Sequence, residues 1–289
     1  MVQTRELNRV YKNAHPIHIN TGSKLVFFSD VHRGDGSAFD DFAKNSQLYL
    51  TALNYYYKKG YTYIEVGDGD ELWENRHFEV ISETHPEVFE LFSKFNNLNR
   101  IHMVVGNHDL EKLSSSFKNK LPKELGSMVM REGIKLLRPG KSNEILVVHG
   151  HQDDLFNDYL SGFTKFIVRY IAKPLQILFC FRNPLSPAVN SRLKNAVENR
   201  MAGWIKEKGC PIIAGHTHRP CFPVEKSVPY LNCGSCVKNN LITCIEINGN
   251  NISLIKWCIK SQENGTLYAA RKNLTGEKRI DGLFDFNFP

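Results

Sequence analysis

The chain has 289 residues, 42% hydrophobic and 23% charged, which supplies enough apolar material for a sizeable core and excludes a compositionally disordered chain. Lysine and arginine number 37 against 30 for aspartate and glutamate, a net charge of +7 that favours acidic partners without naming one. Seven cysteines, an odd number scattered over positions 180–258, make a poor disulfide framework and point to a reducing cytoplasm.

Residues 1–23 carry Arg5, Glu6, Arg9 and Lys12 and lack the apolar stretch of a secretory signal. Positions 24–29 then read as a strand, 39–59 as a helix, 61–66 as a strand, 78–97 as a helix and 100–105 as a third strand, the recurring order of a layered α/β fold. Another buried strand is expected at 145–148. After it the pattern changes to two helical stretches, 155–181 and 187–208, which together look inserted. The most apolar part of the insertion, 163–181, is broken by Lys165, Arg169, Lys173 and Pro174, so no bilayer span is expected. Short strands return at 211–214, 230–232, 241–247 and 252–259, consistent with a second, largely antiparallel sheet. The polar, turn-rich stretch 261–289 is expected to be a loosely attached tail on a single domain spanning 1–289.

Each strand of the first half ends in a polar, glycine-containing loop, and five short motifs follow strand candidates. They are Asp30-Val-His32, Gly67-Asp68, Gly106-Asn107-His108-Asp109, His149-Gly150-His151 and Gly215-His216-Thr217-His218. In an α/β sheet the loops beyond the carboxyl ends of the strands converge on one crevice, so these side chains can meet although they are far apart in sequence. Carboxylate and amide oxygens with imidazole nitrogens suit manganese, iron or zinc, and no thiolate occurs in any motif. Any one motif is weak; five in this order are not.

Together the motifs resemble those of the calcineurin-like metallophosphoesterase superfamily, over about residues 25–260. The resemblance implies a four-layer αββα sandwich, here with residues 155–208 as an inserted helical cap. It implies two divalent ions, foremost Mn²⁺ with iron or zinc as alternatives. One is held by Asp30, His32 and His218, the other by Asn107, His149 and His216, with Asp68 bridging. Two such ions about 3.5–4 Å apart neutralise phosphate charge and share a hydroxide for in-line attack on phosphorus. His108, oriented by Asp109, is the candidate acid for the leaving group. Arg33 and Arg219 flank metal motifs and are candidate clamps for phosphate oxygens, Glu71 is expected to orient ligands, and His151 and Asp153 are expected to line the pocket. Cys233-Gly-Ser-Cys236 lacks the second ligand pair of a zinc site and reads as a structural turn.

The insertion 155–208 holds nine basic and three acidic residues, so nearly all of the net charge lies there, interleaved with Phe163, Phe166, Ile167, Tyr170 and other apolar side chains. Such a segment suits an amphiphilic phosphate ester or peripheral contact with an anionic membrane, on the inner face for a cytoplasmic protein. Within the superfamily, Gly67-Asp-Gly-Asp-Glu-Leu-Trp73, His149-Gly-His-Gln-Asp153 and the insertion resemble the UDP-2,3-diacylglucosamine pyrophosphatase group, although His108 and His151 replace that group's Arg and Asp. The alternatives are a nuclease or general phosphatase with the same centre, disfavoured for nucleic acid because the aromatics alternate with bulky aliphatics, or a non-enzymatic scaffold.

Overall fold

The computed structural model describes residues 4–38, 40–75, 77–141, 143–152, 191–224 and 227–286. In chain order the elements are α1 (Arg5–Asn13), β1 (His15–His18), β2 (Lys24–Phe28), α2 (Ser46–Lys58), β3 (Thr62–Val66), α3 (Phe78–Thr84), α4 (Pro86–Asn97), β4 (Ile101–Val104), β5 (Met130–Arg131), β6 (Gly133–Leu137), β7 (Ile145–Val148), α5 (Ser191–Lys208), β8 (Ile212–Ala214), β9 (Tyr230–Asn232), β10 (Leu241–Asn248), β11 (Asn251–Ser261), β12 (Leu267–Asn273), β13 (Lys278–Arg279) and α6 (Asp281–Phe284).

The strands of the first half read as unbroken apolar runs because both of their faces are buried. In β2, Val26 and Phe28 face a helix layer built from α2 and α4, where they pack with Tyr49, Leu53, Phe92 and Phe95. Leu25 and Phe27 face the opposite way and meet Ile64, Val66, Ile134, Val147 and Ile213 between the two sheets. The second sheet repeats the device. In β7, Ile145 and Val147 point into the space between the sheets, and Leu146 and Val148 pack on Leu7 and Val10 of α1 and on Met201, Trp204 and Ile205 of α5. The result is the expected four-layer αββα sandwich.

One sheet has the order β12-β11-β10-β2-β3-β4-β5, with β13 paired to β11; the other has the order β1-β6-β7-β8-β9. β2, β3, β4 and β5 are parallel neighbours, and so are β7, β8 and β9. Their carboxyl ends therefore open on one side, where the five motifs lie.

Two expectations are corrected. The strands at 211–214 and 230–232 join the second sheet in parallel, whereas the antiparallel hairpin of β10 and β11 extends the first sheet by pairing β10 with β2. Pairing between distant segments is not encoded in local periodicity. Of the stretch 261–289, expected to hang loosely, the described residues 261–286 are tied in by β12 and β13 on β11 and by burial of Leu283 and Phe284 between the sheets. Its polar composition reflects an edge strand with one solvated face.

Of the expected cap, α5 is described, and Arg200 Nη1 and Glu198 attach it to the motif loops through the Gln152 carbonyl (3.2 Å) and the Thr217 hydroxyl (3.4 Å). The expected helix at 155–181 and Asp153 lie outside the described residues. No helix among the described residues is long and apolar enough to cross a membrane.

Candidate metal centre

Backbone hydrogen bonds beyond the strand ends zip the motif loops together. The N–H groups of Asp30, His32 and Arg33 donate to the carbonyls of Gly67, Asp68 and Gly69, Gly215 N–H donates to His149 O, and Cys236 N–H donates to Asp30 O. Asp30, His32, Asp68, His216 and His218 all adopt left-handed backbone conformations, with φ between 51° and 69°; among the described non-glycine residues only Asn99 and Asn240 share this. Such strain persists where the surroundings over-determine it, typically at a functional site. The glycines make room for this crowding. A Cβ on Gly106 would lie 2.1 Å from Asp68 Oδ1, and one on Gly67 would lie 2.4 Å from His149 Nδ1.

The side chains converge as two abutting triads, Asp30–His32–His218 and Asp68–His149–His216, the ligand atoms within each lying no more than 4.8 Å apart. In the first, His218 Nε2 is 3.0 Å from Asp30 Oδ1, and His32 Nε2 is 3.3 Å from His218 Nε2. In the second, His149 Nε2 is 3.0 Å from Asp68 Oδ2, an oxygen that also lies 3.8 Å from His32 Nε2. Asp68 thus stands between the triads, where a bridging carboxylate belongs. Asn107 is buried, and its Oδ1 has no hydrogen-bond partner among the described residues, an arrangement a cation would relieve.

The outward-facing atoms of these groups are fixed by their surroundings. His32 Nδ1 contacts Glu71 Oε2 at 2.7 Å, and His149 Nδ1 contacts the Val66 carbonyl at 2.9 Å, so each ring turns Nε2 toward the centre. Asp30 accepts the His216 N–H at 2.9 Å, and Asp68 Oδ1 accepts the His108 N–H at 2.9 Å. Burial by itself would raise both carboxyls, but His218 and His149 hold Asp30 at about 2, and His149 and His108 hold Asp68 well below the usual carboxylate range. Burial opposes protonation of His32, yet Glu71, Asp68 and Asp30 lift it to about 10; His149 rises against the same penalty to about 9, chiefly through Asp68. An anionic nest that gathers protons onto imidazoles in this way fits divalent cations of the manganese, iron or zinc type.

His108 sits at the rim, its side chain 21% exposed. Its Nδ1 lies 2.8 Å from Glu71 Oε1, and its ring stacks on Trp73 at 4.2 Å between centroids and 19° between planes. Trp73 also donates from Nε1 to the Asn107 carbonyl at 2.7 Å. This corrects the expectation that Asp109 orients His108. Asp109 is buried and accepts the N–H groups of Gly106 (2.7 Å) and Gly69 (3.1 Å) and the ammonium of Lys112 (2.7 Å), so it braces the loops and touches no reacting group. Asp109 adjoins His108 in sequence and Glu71 lies 37 residues away, yet side-chain direction gives the contact to Glu71.

Arg33 is likewise corrected as a phosphate clamp. Fully buried, it forks onto both Glu65 oxygens at 2.7 and 2.9 Å, bonds Asp70 at 2.6 Å and lies over the rings of Phe89 and Phe92. Arg219 remains partly exposed near the centre, bonded to Asn195 and Glu198 of α5. His151 is buried beside the His149 and His216 rings. Cys233 and Cys236 frame a buried turn in which Asn232 Oδ1 accepts the Gly234 N–H. Sequence reasoning missed the roles of Trp73 and Lys112; Lys112, three residues beyond Asp109, offered a spacing signal.

These features define a four-layer α/β fold with a candidate two-metal centre at the carboxyl ends of its strands. The model of the calcineurin-like phosphoesterase family matches residues 23–220, and the chain belongs to that family. No curated protein matches it. Among solved structures it is similar to Vacuolar Protein Sorting 29 from Cryptosporidium parvum (12% identity, TM-score 0.37, 88% of this chain and 98% of the other). Vps29 of Chaetomium thermophilum is also similar (11%, 0.40, 88% and 96%), as is a candidate 5′-nucleotidase of Staphylococcus aureus (12%, 0.37, 87% and 54%).

Proposed function

We propose that the protein is a dimetal-dependent hydrolase of a phosphodiester or pyrophosphate bond. The observation that carries this reading is the position of Asp68 between two ligand triads, together with the unsatisfied Oδ1 of Asn107 in the loop whose His108 N–H bonds Asp68. Asp30, His32 and His218 would hold one cation and Asn107, His149 and His216 the other, with Asp68 common to both. A cation pair in that place would supply Lewis-acid polarisation of phosphoryl oxygens and would lower the pKa of water.

The chain's own residues supply the rest. His108, whose protonated form Glu71 and Asp68 favour against burial, presents its second ring nitrogen to the leaving group and donates the proton. Glu71 and Trp73 fix the plane of that ring. Strain at the five left-handed residues is held by the loop-to-loop backbone bonds, which pre-organises the ligands.

The finer reading is that the ester is an amphiphilic nucleotide diphosphate such as UDP-2,3-diacylglucosamine, with residues 155–208 receiving its apolar part or meeting an anionic membrane surface. Its support is the motif 67–73 and the basic, apolar composition of 155–208. The test is turnover of bis(p-nitrophenyl) phosphate and of nucleotide diphosphate esters with and without acyl chains, with added Mn²⁺. Wild-type turnover lost in Asp68→Ala supports the proposal. Equal turnover in that variant overturns it, and indifference to acyl chains overturns the finer reading alone.

A further inference from the structure

We propose that a cleft between the edge strands β1 and β5, lined by none of the five motifs, binds a small organic oxyanion, with the charged group on Arg131 and the apolar body against Val10, Ala14 and Pro16. The inference goes beyond the phosphoesterase reading and does not depend on it.

β1 ends one sheet and β5 ends the other, and Glu132 alone separates β5 from β6, the neighbour of β1. Residues of both edges line one cleft of about 390 Å³. That volume falls in the range of roughly 300–1,000 Å³ typical of small-molecule sites and is more than a bare ion fills. Val10, Ala14, Pro16 and Val129 supply its apolar lining, and Arg131 and His15 are among its polar groups.

Arg131 lacks a counter-charge. Among the described residues its guanidinium donates from Nη1 to the Val129 carbonyl at 2.9 Å and pairs with no carboxylate. Glu132, the acid of the lining, is forked instead by Arg9 at 2.8 and 2.5 Å. The His15 ring lies 6.4 Å from that of His102, on β4 beside β5. Burial first, and Arg131 next, hold both imidazoles below their ordinary value, His102 at about 4, so neither ring adds a charge at neutral pH. Burial likewise lowers Arg131. A half-buried guanidinium with donors to spare is satisfied by an oxyanion that takes two of them side by side.

The edge itself selects a small molecule over an added strand. Ile19 N–H donates to the Leu137 carbonyl at 2.8 Å, so the odd-numbered residues of β1 turn their N–H groups to β6. Pro16 falls on the outer side, where it has no N–H to offer a new strand.

The test follows the imidazole NMR signals of His15 and His102 in the full chain, each assigned from its Gln variant. The probes are phenylphosphonate and phenylacetate, with phenylacetamide as the uncharged counterpart and inorganic phosphate as the bare ion. Both oxyanions are expected to move the two signals saturably, and the tighter one distinguishes a phosphate from a carboxylate ligand. Affinity should fall about tenfold or more in Arg131→Gln and for phenylacetamide, and by an intermediate factor in Arg131→Lys, which keeps the charge without the fork. Equal affinity in a folded Arg131→Gln, or phenylacetamide binding as tightly as the oxyanions, overturns the site. So does saturation of the wild type that leaves His15 and His102 unmoved, a result that needs no variant. Inorganic phosphate matching phenylphosphonate also overturns it, because the apolar lining then contributes nothing. No turnover is read, so a chain that hydrolyses no ester can still give the expected shifts; the proposed function then fails and the oxyanion site stands.

Discussion

Glu71 grips His32 through a 2.7 Å contact between Oε2 and Nδ1, and its other oxygen takes Nδ1 of His108 at 2.8 Å. One carboxylate thereby sets both a candidate ligand and the candidate acid. In Glu71→Gln the shape survives and the charge is lost, so a tenfold to roughly hundredfold fall in metal affinity or kcat is expected. Burial then prevails over the remaining attraction of Asp68, and the His108 pKa falls. An acid works while protonated, so the alkaline limb of the kcat profile moves to lower pH. A profile measured in both proteins checks the direction.

Metal uptake should release protons. In the metal-free protein the raised values of His32, about 10, and His149, about 9, keep both rings charged at pH 7.5. Cations must displace these protons, on the order of two per chain, so affinity falls as pH is lowered. The same shifts act on folding. Both values lie above the ordinary imidazole value, so their contribution to the metal-free fold is complete below about pH 6.5 and is lost as pH rises through 9 to 10. Calorimetry in buffers of different ionisation enthalpy measures the proton count, and urea titrations of chelated protein measure the stability trend.

Gly106→Ala should disable the centre without removing any ligand. The added methyl would lie 2.1 Å from Asp68 Oδ1 and 2.5 Å from the Asp68 nitrogen, and backbone cannot yield as a flexible side-chain end does. A destabilisation of about 1–3 kcal/mol is expected from the overpacking, with loss of bound metal. Thermal unfolding and elemental analysis check the two consequences, and Gly282→Ala, where nothing lies within 4 Å and φ is likewise not positive, is the control without overpacking.

The sequence made the layers and the five motif loops legible for one physical reason. Strands buried on both faces, such as Phe27 and Phe28 in β2, show as continuous apolar runs, and the polar loops after them have nowhere else to converge. β1 was not legible, because His15-Pro-Ile-His18 has neither an apolar run nor a clean alternation, and it is fixed instead by pairing in parallel with β6. Nor was the partner of β10, which depends on contacts more than 200 residues apart in sequence. At the site, spacing identified the residues that meet but not the direction of their side chains. Arg33 turns into the helix layer and Asp109 turns beneath the loops.

Arg33 should matter for folding rather than for substrate. Arg33→Ala strips Glu65 and Asp70 of their buried partner and is expected to cost about 3–5 kcal/mol in urea unfolding. Burial would raise Asp70, but Arg33 and Lys112 hold it at about 2. Its contribution is therefore present above the ordinary carboxylate value and is lost as pH falls toward 2. A variant that unfolds like wild type would contradict the structural role, whereas Arg219→Ala, at a partly exposed pair, should change stability by less than about 1 kcal/mol.

The most direct measurement is the number of Mn²⁺, iron or zinc ions retained per chain by wild type and Asp68→Ala, read by elemental analysis after incubation and desalting. Two ions per chain in the wild type, falling to one or none when Asp68 is removed, is the predicted result. Fewer than one ion in the wild type, or two in both proteins, would contradict a centre joined by Asp68.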